Sequence, residues 1–320
     1  MTEDYIGVEN EISYISPNSG KKSHYMKMSS LKGSFKRKRN TGKGISTNTG
    51  HIFYVDGDDI ELNTPPIRIN RGFASRVTDA IMTGRERILR VKGGEKYTGF
   101  SMHWNLSYTE KSEGDFFFPV AVPFTLFGNT PLSIGTRCRR KPGRYELLGD
   151  SINNEDQLNA TALILGSYHQ LQRKGHDFRY TCDNTVNPLM VDGRYQKVDI
   201  WDVSNNSPSN IQAQRYLELF YQWLEPAVGL LATKREKDNL EAFIYGNKEL
   251  EMDKFEYYSY IRDLGLKSKP VYLPNTEVID KEVFSTELSA GKKRELPLEC
   301  KLFGKILEKK HKRLDSFAWN

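Results

Sequence analysis

The residues of this chain best suited to chemistry are two carboxylates, Glu9 and Glu11, within Tyr5-Ile6-Gly7-Val8-Glu9-Asn10-Glu11-Ile12-Ser13-Tyr14. Read as a strand, this segment turns Glu9, Glu11 and Ser13 to one face and Val8, Asn10 and Ile12 to the other. Like charges held that close raise each other's pKa unless a cation neutralises them. Magnesium, which takes carboxylate and phosphate oxygens, is suited to the task. An edge strand with one solvated acidic face fits the same pattern, so residues elsewhere must decide.

Three further stretches carry candidate groups. His51-Ile52-Phe53-Tyr54-Val55-Asp56 is β-rich and runs into the acidic Asp56-Gly57-Asp58-Asp59-Ile60-Glu61, closed by Thr64-Pro65. A strand over about 97–109 places His103, Asn105 and Ser107 on one face. A lone strand histidine is more often a hydrogen-bonded core residue than a ligand. The run Arg137-Cys138-Arg139-Arg140-Lys141-Pro142-Gly143-Arg144-Tyr145-Glu146 gathers cations beside one carboxylate. Arginine grips phosphate with a planar fork, so this run reads either as a phosphate clamp or as a solvated turn.

The elements that must position these groups follow from periodicity. Residues 72–84 have helical spacing, strands are expected at about 86–92 and 97–109, and 116–127 reads as buried, kinked extended chain. The segment 149–156 reads as a turn and N-cap, followed by a helix over about 155–172. A strand is expected at about 194–201 and a long helix from near Ser209, ended or kinked by Pro226. Further helical spacing recurs at 234–245, 252–264 and 300–313. Strands early and helices late, without βαβ alternation, predict an α+β fold: a curved, mostly antiparallel sheet with helices on one face. One large domain over 1–265 is expected, with a mobile loop at 16–50 and a small lysine-rich appendage at 266–320.

Composition bounds the function. The chain has 320 residues, 38% of them hydrophobic and 28% charged, enough for a real core. The net charge of +6 suggests anionic ligands without demanding nucleic acid. Cys138, Cys182 and Cys300 show no C-x-x-C spacing, which fits a reducing compartment and argues against a disulfide framework or a zinc knuckle. With no signal-like N-terminus and no long apolar run, the expectation is a cytoplasmic protein without membrane partners.

Assembled in order, these segments resemble the Pup ligase and Pup deamidase (depupylase) family, carboxylate–amine ligases related to glutamine synthetase. Gly7-Val8-Glu9-Asn10-Glu11 is similar to that family's opening magnesium strand, and Phe53 to Glu61 with Thr64-Pro65 to its next segment. His103 and Asn105 match the histidine and asparagine of the S-H-E-N strand. Arg144-Tyr145-Glu146 with Gly149-Asp150-Ser151-Ile152-Asn153 resembles R-x-H…G-D-[AS]-N, and Ser209 to Tyr216 resembles A-x-x-I-Q-x-x-Y. Glu146 stands where these enzymes carry His, as it does in glutamine synthetases, and Asp59-Ile60 replaces His-Pro.

The resemblance implies an ATP- and Mg2+-dependent ligase that joins a carboxylate to an amine through an acyl phosphate. By it, Glu9, Glu11, Tyr54, Glu61, His103 and Glu146 would surround metal ions. Thr64 and Asn105 would lie near the nucleotide, and Arg144 with Arg137 or Arg140 would stabilise the phosphoryl group. Asp56 would act as the general base. The partners implied are a carboxylate (the C-terminus of a small protein tag, or a glutamate-like metabolite) and an amine acceptor. An amide hydrolase of the same fold, a non-catalytic member, and a nucleic-acid binder using residues 32–43 and 136–144 are the competing readings.

Overall fold

The computed structural model describes residues 3–14, 40–41, 44–56, 59–89, 97–107, 110–129, 137–182, 193–195, 197–253 and 271–272. The sheet is built around β1 (Tyr5–Tyr14), whose Ile6, Val8, Asn10 and Ile12 are buried while Glu9 and Glu11 face the other way, half-buried. Beside it lie β5 (Asp59–Asn63) and β7 (Tyr97–Ser107), both antiparallel to it. Beyond β5 come β4 (Ile52–Asp56), β3 (Gly44–Ser46) and β2 (Asn40–Thr41). Beyond β7 come β9 (Arg144–Gly149) and β8 (Arg137–Lys141), a hairpin turned at Pro142-Gly143 with Gly143 at φ 75°. Short β6 (Ile67–Arg68) pairs with β1. The observed sheet is antiparallel and the fold is α+β, as expected.

Two layers of helix cover the apolar face. Helices α1 (Phe73–Leu89) and α4 (Glu155–Arg173) pack together, with Gly166 of α4 letting the Phe73 ring approach where a Cβ would sit 2.3 Å from its Cζ. Asn154 caps α4 by accepting from the Gln157 backbone N–H at 3.0 Å. Apolar or small residues lie all round α4 because α5 (Ala213–Leu231) and α6 (Lys234–Ile244) close over it. Thr233 and Glu236 form a capping box at the start of α6. The same Glu236 carboxylate accepts from Ser75 N–H and Oγ, each at 2.7 Å, and so ties α6 to the first turn of α1.

Several expectations differ from the structure, each for a physical reason. Residues 116–127, expected to be extended, form α2 (Glu113–Phe117) and α3 (Ala121–Gly128). Ser112 caps α2, and Pro123 sits in the first turn of α3, where its missing N–H has no intrahelical partner to lose. Burial on all sides removed the periodicity that marks a helix. The strand expected at 86–92 is, through Leu89, the end of α1, and 90–92 lie outside the described residues.

The helix expected from Ser209 begins at Ala213. Before it, β12 (Ser207–Gln212) pairs with β11 (Lys197–Asp202), which pairs with β10 (Tyr180–Cys182) in a second sheet. Pro226 neither ends nor interrupts α5, because Pro226 and Gln222, whose carbonyl it frees, are both exposed to water.

Of the loop expected at 16–50, residues 40–41 and 44–46 are strand; residues 16–39 and 42–43 lie outside the described residues. So do 254–264 and nearly all of 266–320, including the helix expected at 300–313. From that last segment β13 (Val271–Tyr272) joins β7 opposite Gly99 and Thr98. Among the described residues no helix is long and apolar enough to cross a membrane.

His51, 2% exposed, links the β3–β4 turn to α1: Nε2–H donates to Ala80 O at 2.7 Å, and Nδ1 lies 2.8 Å from Thr49 Oγ1. Burial, aided by the Arg87 charge and only partly offset by the Ala80 bond, holds its pKa below the usual histidine range. A histidine depressed in the folded state adds stability that is present above about pH 6.5 and fades as the pH falls. His51→Gln is therefore expected to lose less melting temperature than the wild type between pH 7.5 and 5.5, as read by thermal unfolding. Equal losses would show that His51 does not contribute to acid sensitivity.

Candidate functional site

Strand register brings the predicted acids together on the sheet face turned away from the helices. Glu9 lies opposite His103 in the β1–β7 pair, Glu11 opposite Glu61 in β1–β5, and Glu146 opposite Asn105 in β7–β9. Tyr54, half-buried, lies opposite Glu61 in β4–β5. His103 is the hub. Its Nδ1 is 3.4 Å from Glu9 Oε2 and 3.9 Å from Glu146 Oε1, and its Nε2 is 3.9 Å from Glu11 Oε1. Ser101 Oγ is 3.2 Å from the same Nε2.

The electrostatics are those of crowded anions. Glu146 and His103 are buried, at 2% and 5% exposure. Burial works against the His103 cation, but the Glu9 hydrogen bond and the charges of Glu11, Glu146 and Glu9 outweigh it and raise its pKa. Burial also opposes the Glu9 anion, yet His103 and then Arg144 hold its pKa below the usual carboxylate range. Glu61 goes the other way. Burial pushes its pKa up to about 7, with the Glu9 and Glu11 charges adding to it, although Asn63 Nδ2 donates to Oε1 at 2.7 Å. Neighbouring carboxylates driven in opposite directions mark a site that shares protons or a cation.

Glu9, His103 and Glu146 can each present a ligand atom within 4.8 Å of the others. Two carboxylates and one imidazole fit a divalent cation such as Mg2+ or Mn2+, and binding there requires His103 to give up its proton. Two guanidinium groups border the cluster. Arg144 Nη2 is 3.2 Å from Glu9 Oε1 and 3.7 Å from Glu146 Oε1, and Arg139 pairs with Glu146 through Nε.

Beside Arg144 opens a cleft of about 250 Å³, lined among others by Gly7, Thr64, Asn105 and Ser107. Thr64 is fixed against β1, its Oγ1 accepting from Val8 N–H at 2.9 Å. Asn105 Oδ1 is buried without a partner among the described residues, an acceptor open to a ligand donor.

Not every predicted residue reaches this face. Arg140 pairs in register with Tyr145, is exposed, and its backbone N–H donates to Glu113 Oε2 at 2.9 Å. The two-residue turn puts Arg139 beside Glu146 instead, so Arg139 is the cation that the sequence reading passed over. Arg137 lies opposite Leu148 and Asp56 opposite Asp59 in register; the side chains of Arg137 and Asp56 lie outside the described residues. Residues 32–39 and 42–43, which the nucleic-acid reading needs, also lie outside them.

No protein-family model matches the sequence, and no curated protein does. Solved structures do. The crystal structure of the complex between the prokaryotic ubiquitin-like protein Pup and its ligase PafA matches with a TM-score of 0.57 at 12% identity, over 96% of this chain and 82% of that one. The structure of the Pup ligase PafA in complex with ADP matches with a TM-score of 0.48 at 12% identity, over 83% and 77%. On the first of these likenesses, the chain is similar in fold to the Pup ligase PafA.

Proposed function

We propose that this protein is a carboxylate–amine ligase that uses ATP and a divalent cation, Mg2+ or Mn2+, to form an amide or isopeptide bond. The observation that carries the reading is the Glu9–His103–Glu146 cluster with Arg144 against it, at the edge of the cleft. Glu9, His103 and Glu146 hold the cation, and Glu11 and Glu61 extend the anionic wall beside them. A cation held there would neutralise phosphate oxygens, and ATP would supply the phosphoryl group that activates a carboxylate.

The chain's own residues do the rest. Arg144, lining the cleft, presents its cation to negative charge there, and Arg139 adds a second positive charge beside Glu146. Thr64 and Asn105 line the cleft and orient the nucleotide. Asp56 takes the proton from the incoming amine. The fold shared with a ligase solved together with Pup supports a small protein tag as the carboxylate partner, with a glutamate-like metabolite as the other candidate.

Calorimetry with Mg2+-ATP, alongside nucleotide turnover, tests this directly. Wild type is expected to bind nucleotide only with Mg2+. Asp56→Asn is expected to bind it with similar affinity while turnover falls about 10³-fold, within the usual range for loss of a general base. A wild type that binds no nucleotide in the presence of Mg2+ would sink the reading. Amide hydrolysis without any nucleotide would replace it with the hydrolase.

A further inference from the structure

Behind the acidic face, on the helix side of β1, sits an arginine that the proposed chemistry does not use. Arg85 of α1 is fully buried at 0% exposure. Its three hydrogen bonds go to neutral acceptors: Nε to Asn10 Oδ1 at 2.9 Å, Nη1 to Ile152 O at 2.7 Å, and Nη2 to Ser151 Oγ at 3.0 Å. No carboxylate is among its partners in the described residues. A cation buried this way is costly and is tolerated where its geometry serves something.

What the fork holds is informative. Asn10 stands between Glu9 and Glu11 and points the opposite way. Its Nδ2 donates to Ser101 O at 2.8 Å and to Ser151 Oγ at 3.1 Å. Ser101 in turn contacts His103 through its hydroxyl. At this level the β1–β7 register slips: Glu11 faces Ser101 but Ile12 faces Gly99, leaving one extra residue on β7. Bulges of this kind re-aim side chains and recur beside active sites. Gly99 makes room for this contact, because a Cβ on it would come 2.5 Å from Ser151 Oγ and 3.3 Å from Asn10 Nδ2 and would displace the Ser151 hydroxyl.

We propose that Arg85 is a positioning residue: its fork to Asn10, Ser151 and Ile152 locks the β1–β7 bulge and so aims His103 into the metal site and Glu11 into the acidic wall beside it. The link to a metal rests on the function proposed above; the link to the bulge does not. A guanidinium suits the task because one rigid plane reaches a strand and two residues of the loop before α4 at once.

The test uses the full chain with two readouts, the Mn2+ dissociation constant by calorimetry and amide hydrogen exchange without metal. Arg85→Met is expected to weaken Mn2+ about tenfold, as loss of a group that supports metal ligands does. Exchange at residues 10–12 and 99–103 is expected to quicken by a similar factor. The control is Glu236→Gln, which removes the charge and leaves one acceptor oxygen where the carboxylate had two, weakening the buried contacts at the other end of α1; it should leave both readouts within about twofold.

Unchanged exchange in a folded Arg85→Met overturns the proposal, and so does an equal Mn2+ loss in the control. If Arg85→Met does not fold, Ser151→Ala carries the same two readouts with the same expected directions. A wild type that binds no Mn2+ refutes the metal reading, and the exchange data then decide the positioning alone.

Discussion

Replacing Glu9 by alanine is expected to weaken Mn2+ binding roughly 100-fold, at or beyond the upper end of what loss of a supporting residue around a metal site costs. Glu9 can offer one of the three clustered ligand atoms, keeps a pKa below the usual range, and is therefore charged at neutral pH. The other carboxylates do not replace it: Glu146 already offers its own ligand atom, Glu11 approaches the far ring nitrogen of His103, and Glu61, with a pKa pushed up to about 7, is partly protonated near neutrality. Glu9→Gln keeps the shape and removes the charge, so it should lose most of the same affinity.

Stability should change little in either variant. The lost ion pairs with His103 and Arg144 are balanced by relief of repulsion from Glu11 and Glu61. Calorimetric titration with MnCl2, paired with thermal unfolding, reads both quantities. Binding within threefold of wild type would remove Glu9 from the metal site.

How much of this was legible in the sequence depends on how local the signal is. The β1 strand was, because alternation alone separates Ile6, Val8 and Ile12 from Glu9 and Glu11, and burial follows that division. Helices α1 and α4 were: α1 has a long apolar stripe, and α4 is announced by its N-cap and by Leu158, Ala162, Leu165 and His169 at helical spacing. The buried α2–α3 pair was not: an apolar run without a polar face has no period to read. Nor was β12, whose Ser-Pro-Ser-Asn would pass for a helix start and is set as a strand by its partner β11.

In the site, Glu9 and Glu11 came from residue type and spacing, whereas His103, Glu61 and Glu146 came from the family resemblance. The choice between Arg139 and Arg140 was readable in principle. A two-residue Pro-Gly hairpin pairs Lys141 with Arg144, which fixes Arg139 beside Glu146 and turns Arg140 to the other face. The Arg85–Asn10–Ser151 contacts lie 75, 66 and 141 positions apart in the chain, and no local pattern announces them.

Arg144→Met should act with the opposite sign on metal and the larger effect on turnover. Its side chain is 43% exposed, so its ion pairs with Glu9 and Glu146 are screened by water and contribute about 0–1 kcal/mol to stability. Folding should be intact. Removing a cation that competes for Glu9 Oε1 and Glu146 Oε1 should leave Mn2+ binding unchanged or tighter. Nucleotide turnover, in contrast, should fall about 10²–10³-fold, the loss typical when a positioned donor to developing negative charge is deleted.

Arg144→Lys retains the charge without the planar fork and should fall between the two. The pairing of outcomes is what discriminates. A metal ligand and a charge-stabilising residue both reduce turnover, but only the ligand takes metal affinity down with it. An Arg144→Met protein that loses Mn2+ as Glu9→Ala does would make Arg144 an architectural clamp on the acids. Unimpaired turnover would leave the guanidinium no part in the chemistry.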